Sequence, residues 1–373
     1  MRRREPPTVY DNQLSCPATD GIALKQLCRD TGATRKCNER QKGAGMKRCW
    51  ASTRLTIFIL LLVSLGGTAA CASPRVKIIR HKSTLDVKIG GKLFVTYHFA
   101  DNFVLPFVRP FFWPVLASDG TAVTIDQAQH PPLHPYQRSM WIGHGDVNGA
   151  DHWKFSAKPF PPKQLHVKFD FVRRDRFREE LIWQDAAGRP MLHETRTVHF
   201  LAYPDGARAV DLEIRFSPVS GDVDFANHKD HGLFSIRPDP EIAHDPTFTS
   251  SRGSNECAQP SAWCDESGRI GRRIYGIAVF DDPRNPRHPP MWHAHKDARL
   301  ATDIFVLPDA AENHLPRTAG DFIIRKGTTA TFHYRAVIHE GDARTADIAA
   351  KYAQFAANCE AGAANAGPSY GAH

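Results

Sequence analysis

Period-two alternation of apolar and polar side chains is the feature that most constrains this chain. In "STLDVKIGGKLFVTYHF", Leu85, Val87 and Ile89 fall on one face, Gly90–Gly91 marks a turn, and Leu93, Val95, Tyr97 and Phe99 resume the pattern. Successive strand side chains point to opposite faces, so such a run gives one face to a core. A glycine pair between two alternating runs signals a hairpin. "QLHVKFDFV" sets Leu165, Val167, Phe169 and Phe171 against His166, Lys168 and Asp170. "AVDLEIRF" places Val210, Leu212, Ile214 and Phe216 inward, and "TFHYRAVIH" alternates again. Helical spacing emerges only in "DARTADIAAKYAQFA", where Ile348, Tyr352 and Phe355 share a face behind Asp342 or Thr345 as caps. The expected fold class is all-β: a single large antiparallel β-sandwich over residues 75–345, then a short C-terminal helix over 346–358. The Ala- and Gly-rich tail, 359–373, is expected to be disordered.

The N-terminal part reads differently. "MKRCWASTRLTIFILLLVSLGGTAACAS" combines basic Lys47, Arg48 and Arg54, an apolar run from Leu55 to Leu65, and small residues, the three parts of a secretory signal. That run is shorter than the roughly 20 residues a spanning helix needs. A signal peptide over 46–72 makes Met46 the expected start and 1–45 a mis-called extension. Ala70 and Ala72 fit cleavage before Ser73, while Cys71 offers a lipid anchor. Either route implies export, as a periplasmic protein or an outer-membrane lipoprotein, with no transmembrane span in the mature chain.

Charge supports this division. Residues 1–54 carry 12 Lys+Arg against 5 Asp+Glu, leaving 36 against 35 for the remainder. A basic stripe that neutralises phosphates is therefore missing from the mature part, and nucleic acid is excluded as a partner. In "ECAQPSAWC", Cys257 and Cys264 flank a short proline-containing loop, which in an oxidising compartment suits a disulfide.

Three stretches carry the unusual chemistry: His130 to Trp153, Asn227 to Ala243, and Asp281 to Leu300. The first contains "RSMWIGHGDVNGADHW", rich in Gly, His, Asp and Asn and poor in aliphatic filler. With "LAYPDGARAVDLEIRFSPVSGDV" and "YRAVIHEGD", these stretches resemble the bacterial PmoA-like family that carries a "methane oxygenase" label. The resemblance spans roughly Lys77 to Asp342. It implies a large, supersandwich-like β-sandwich in an exported, carbohydrate-degrading setting, with no established catalytic residues to carry over. A membrane copper monooxygenase subunit would need several spanning helices, which this chain lacks after its signal. Where relatives read His-Pro-His-His-Arg, this chain has "HPYQR", keeping His134, Pro135 and Arg138 but carrying Tyr136 and Gln137. At a Tyr-Gly pair it has Asp297 and Ala298.

On their own terms, His293 and His295 in "WHAH" share a strand face, and His144 and Asp146 have the same spacing. His144, Asp146 and His293 are the candidate acid–base groups. No stretch shows an established metal-ligand spacing, so no metal or other cofactor is expected. Trp141, Trp153 and Trp292 either stack on sugar rings or anchor loops to the core. Lys229 and Arg237 either bind a carboxylate or are solvated strand charges. His134, Arg138, Asn148 and His295 complete the candidate ligand-binding set. The expected function is binding or processing of a small-molecule or oligosaccharide ligand in a loop-lined cleft. A non-catalytic carbohydrate-binding scaffold and a metal-dependent hydrolase or oxygenase remain as alternatives. N-terminal sequencing of the exported protein should begin at Cys71 or Ser73; a mature protein retaining residues 1–45 contradicts the start at Met46.

Overall fold

The "STLDVKIGGKLFVTYHF" hairpin forms as its pattern dictates. Strands β1 (Val76–Arg80), β2 (Thr84–Ile89) and β3 (Lys92–His98) pair antiparallel, and Gly90 and Gly91 take positive φ of 59° and 84° at the turn. Such left-handed positions cost glycine little, which is why the pair sits there. The computed structural model describes residues 74–100, 108–125, 136–154, 164–227, 232–254, 259–295, 299–305 and 320–366.

Two antiparallel sheets enclose one principal core. The first continues through β4 (Phe111–Val115), β5 (Met140–Ile142), β11 (Phe234–Ile236), β17 (Arg299–Asp303) and β16 (Met291–His295). The second runs β13 (Gly253–Ser254), β12 (Thr247–Ser250), β14 (Trp263–Ile270), β15 (Arg273–Asp281), β19 (Ala330–Glu340), β9 (Arg208–Pro218), β8 (Pro190–Ala202), β7 (Arg176–Gln184) and β6 (Gln164–Val172). A small ribbon pairs β10 (Val223–Phe225) with β18 (Phe322–Ile324). The inner faces meet as a sandwich: Leu85, Val87, Tyr97, Phe112, Met140 and Ile236 from the first sheet and Phe177, Val210, Leu212, Ile214 and Phe216 from the second are buried in one cluster.

At β6 the expected pattern fails. Leu165 and Val167 are 36% and 53% exposed, while His166 turns in to bond Glu179. The strand is the edge of its sheet, and its pairing with β7 shifts register twice, between His166/Lys168 and Phe169/Phe171. Each shift breaks the simple alternation of faces, so one apolar row cannot be kept inward.

Helix α1 (Pro240–His244) is a single short turn capped by Asp239, and α2 (Ile348–Ala366) covers the outer face of the second sheet. Ile348 and Phe355 are buried there with Phe280 and Val337, and Asp342 accepts the Thr345 N–H ahead of the helix at 2.7 Å. The helix continues past Cys359, where a disordered tail was expected. Among the described residues no helix is long and apolar enough to cross a membrane. Cys264 is disulfide-bonded, and its expected partner Cys257 lies outside the described residues.

One ionic network interrupts the apolar core. Arg196 and Glu194 on β8 and Glu179 on β7 are wholly buried on the inner face of the second sheet. Arg196 Nε donates to Glu194 at 2.7 Å and its Nη1 donates to the Tyr97 hydroxyl at 2.9 Å. Tyr97 in turn donates to Glu179, and the Trp183 indole donates to Glu194 at 2.7 Å. Removing one partner of a buried pair strands the other charge. Arg196→Met should therefore destabilise the fold by about 3–5 kcal/mol, and Tyr97→Phe by about 1–3 kcal/mol. Urea unfolding measures both; a loss under 1 kcal/mol for Arg196→Met would contradict a stabilising role for the network.

Candidate functional site

The first sheet is unusual on its outer face. Its register sets side by side Tyr97, Phe112, Met140, Ile236 and Leu300 on the core side. The neighbouring row, on the opposite face, runs His98, Phe111, Trp141, Ser235, Ala301 and His293. A solvated face would carry exposed polar groups, yet every member of that row except the partly exposed His293 is buried.

Aromatic rings and guanidinium groups interleave around it. Trp141 and Trp153 pack edge to face with centroids 5.1 Å apart, and the His98 ring stacks on Phe111 at 4.6 Å. The Arg138 guanidinium lies 3.9 Å over Phe111, Arg299 4.9 Å over Trp153 and Arg109 5.4 Å over Trp141. Such contacts gain strength when the cation is stripped of water. Arg109 donates to the carbonyls of His152 (3.1 Å), Trp153 (2.8 Å) and Tyr136, tying together both ends of the loop. Burial pushes this guanidinium down to about 9, with the Asp151 charge working in the opposite sense.

Several buried polar atoms here have no hydrogen-bond partner among the described residues: Arg109 Nε, Gln137 Oε1, Trp141 Nε1, Trp153 Nε1 and Ser235 Oγ. Half-buried Trp113, Tyr136, Arg138, Lys154, Arg237 and His293 form the rim. A separate groove of about 600 Å³ beside α1 is lined largely by exposed residues such as Glu241, His244 and Arg269. The outer-face cluster, with its unpaired buried groups, is the better candidate.

The residues singled out in the sequence take several places. Trp141, Trp153, Arg138, Arg237 and His293 come together on or beside this face. His295 follows on the same strand, paired with Arg299. Trp292 points the other way, into the core, and donates to the Ser261 carbonyl at 2.8 Å. His144 is buried against Phe305, centroids 4.1 Å apart, with Nε2 2.7 Å from the Ala226 carbonyl. Asp146 accepts the Gly149 N–H at 2.8 Å, closing a turn, and Asn148 accepts the Asp224 N–H at 2.8 Å. His134, Lys229 and Cys257 lie outside the described residues.

Gly143 shows what the glycines of this loop do. A β-carbon there would meet the His152 carbonyl at 2.9 Å, too close for any other residue without a shift. The close approach is of the loop to its own backbone. Arg109 was not singled out in the sequence, although a lone arginine inside the aromatic run "VRPFFWP" was the available signal.

His152, missed as well, is fully buried on Trp183, ring centroids 4.7 Å apart. Burial first, then the Arg109 charge, pushes its imidazole from 6.5 down to about 3. The unfolded chain therefore binds the extra proton between those values, so stability is full above pH 6.5 and falls toward pH 3. The slope from this group is at most about 1.4 kcal/mol per pH unit. Denaturant unfolding between pH 7 and 4 should show the loss in the parent protein and a shallower one in His152→Phe. Equal slopes would place the acid sensitivity elsewhere.

Comparison with known sequences places residues 84–353 in a family of unknown function, DUF6807, and the chain belongs to that family. No curated protein matches. Among solved structures, it is similar to a putative aldose 1-epimerase from Escherichia coli K12, at 10% identity and TM-score 0.32, over 71% of this chain and 99% of that one. It is also similar to a GalM/aldose epimerase homologue from C. elegans, at 9% identity and TM-score 0.30, over 73% and 99%. Superpositions this loose carry no weight for mechanism.

Proposed function

We propose that this DUF6807 member is an exported protein that binds carbohydrate on the outer face of its first sheet. One observation supports the reading above others: buried, unpaired donors and acceptors gather on a sheet face that is neither core nor solvated surface. Each such group costs about 1–3 kcal/mol when left unsatisfied, and a ligand or the water it orders would recover that. Sugars suit the site because they present apolar ring faces and hydroxyl rims together. The half-buried Trp113 and Tyr136 rings supply the platform, and Arg138, Arg237 and Lys154 favour a sugar bearing a carboxylate. Trp141 and Trp153 act from beneath, fixing the loop that carries them.

Binding is the favoured activity, with chemistry second. Of the three proton-transfer candidates, His144 and Asp146 are engaged in fold-holding bonds to Ala226 and Gly149. His293, the third candidate, stands half-buried at the rim.

Titration with neutral and uronic-acid oligosaccharides, followed by tryptophan fluorescence, tests the proposal. Trp113→Ala and Arg138→Gln should each weaken binding by about tenfold, or about 1.4 kcal/mol, with Arg138→Gln selective for the acidic ligands. Undiminished binding in both variants would move the site elsewhere.

A further inference from the structure

Three donors of different chemistry converge where α2 meets the second sheet, well away from the rim described above. Asp282 lies just past β15, His333 on β19 and Cys359 on α2, and their ligand atoms are all within 4.8 Å of one another. Asp282 Oδ2 is 2.8 Å from His333 Nδ1, and Cys359 Sγ is 3.7 Å from that same nitrogen. This shared atom argues against a thiol–imidazole–carboxylate relay. A relay needs the nucleophile on one ring nitrogen and the carboxylate on the other. Ligands of a single ion, in contrast, crowd around one point.

We propose that Asp282, His333 and Cys359 bind a divalent metal ion, Zn²⁺ by preference, with the fourth position open to water. Tetrahedral zinc with ordinary bond lengths sets sulfur and nitrogen ligands about 3.6 Å apart, close to the observed 3.7 Å. A nitrogen–oxygen edge is about 3.3 Å, so the Asp282–His333 contact opens by about half an ångström on binding. Thiolate and imidazole together select zinc over magnesium or calcium. The thiol gives up its proton to solvent as the sulfur coordinates.

The surroundings orient the carboxylate. Arg284 donates to Asp282 Oδ1 from its backbone N–H (2.9 Å) and Nε (3.0 Å), and to Oδ2 from Nη2 at 2.6 Å. Such outer partners hold metal-ligating carboxylates in place. The Arg284 charge opposes a cation, and the two anionic ligands offset it. Access is through His333, whose side chain is 24% exposed. Its ring also packs against Phe355 of α2, centroids 5.3 Å apart, so the three ligands are positioned before an ion arrives. The bound metal would pin α2 to the sandwich.

Titration of the purified mature protein, from Ser73 onward, with Co²⁺, then competition by Zn²⁺, tests this. The expected result is a thiolate-to-cobalt charge-transfer band in the near ultraviolet that Zn²⁺ displaces. Cys359→Ser and His333→Gln should each abolish that band and weaken Zn²⁺ binding by at least about tenfold, with far-ultraviolet circular dichroism confirming the fold. If Cys359→Ser does not fold, the parent spectrum and His333→Gln decide. No thiolate band in the parent chain, or a band that persists in a folded variant, overturns the proposal.

Discussion

The Tyr97 hydroxyl is the contact on which the register of the two sheets depends. It leaves the first sheet to meet Arg196 and Glu179 of the second, donating to one and accepting from the other. Burial alone pulls the Arg196 pKa down, but Glu194, Tyr97 and Glu179 reverse this and hold it above the usual guanidinium value. Apolar contacts are non-directional and would tolerate a small slide of one sheet over the other. A phenol between a guanidinium and a carboxylate tolerates less, because each displacement costs two charge-assisted hydrogen bonds in a buried site.

Fixing the register fixes what lies on the outer face. Once Tyr97 and Phe112 face inward, alternation sends His98 and Phe111 outward, and pairing carries that row to Trp141, Ser235, Ala301 and His293. The row on that face has no aliphatic side chain larger than alanine. Its rings pack on guanidinium groups and on one another instead. Among the described residues the cost appears as buried indole, amide and hydroxyl atoms without a hydrogen-bond partner.

Alternation made much of this legible. The β2–β3 pairing, the inward row of β9 and the Ile348–Phe355 face of α2 follow from periodicity alone, but at the start of β3 a register shift leaves Leu93 half-buried and puts Phe94 in the core. β6 does not, because register shifts at a sheet edge leave no mark in the residue pattern. The loop "RSMWIGHGDVNGADHW" was recognisable as special, but not which of its atoms are spent. Asp146 and Asn148 look like chemistry in one dimension; in three, Asp146 closes its own turn and Asn148 ties that turn to the backbone of Asp222 and Asp224. The Arg109 role depends on carbonyls from Tyr136, His152 and Trp153, and sequence gives no account of carbonyl directions.

The division between spent and unspent groups bears on where function resides. A polar side chain that satisfies the backbone of its own turn stabilises that turn and has little left to offer a ligand. One left buried and unpaired destabilises the fold, by about 1–3 kcal/mol for each group, and natural folds retain few of them. The indoles of Trp141 and Trp153 belong to the second kind, while Asp146 belongs to the first. Marginal stability leaves little room for several such losses on one face unless something recovers them. The residues that look least catalytic in this loop are therefore the ones whose chemistry the fold leaves unfinished.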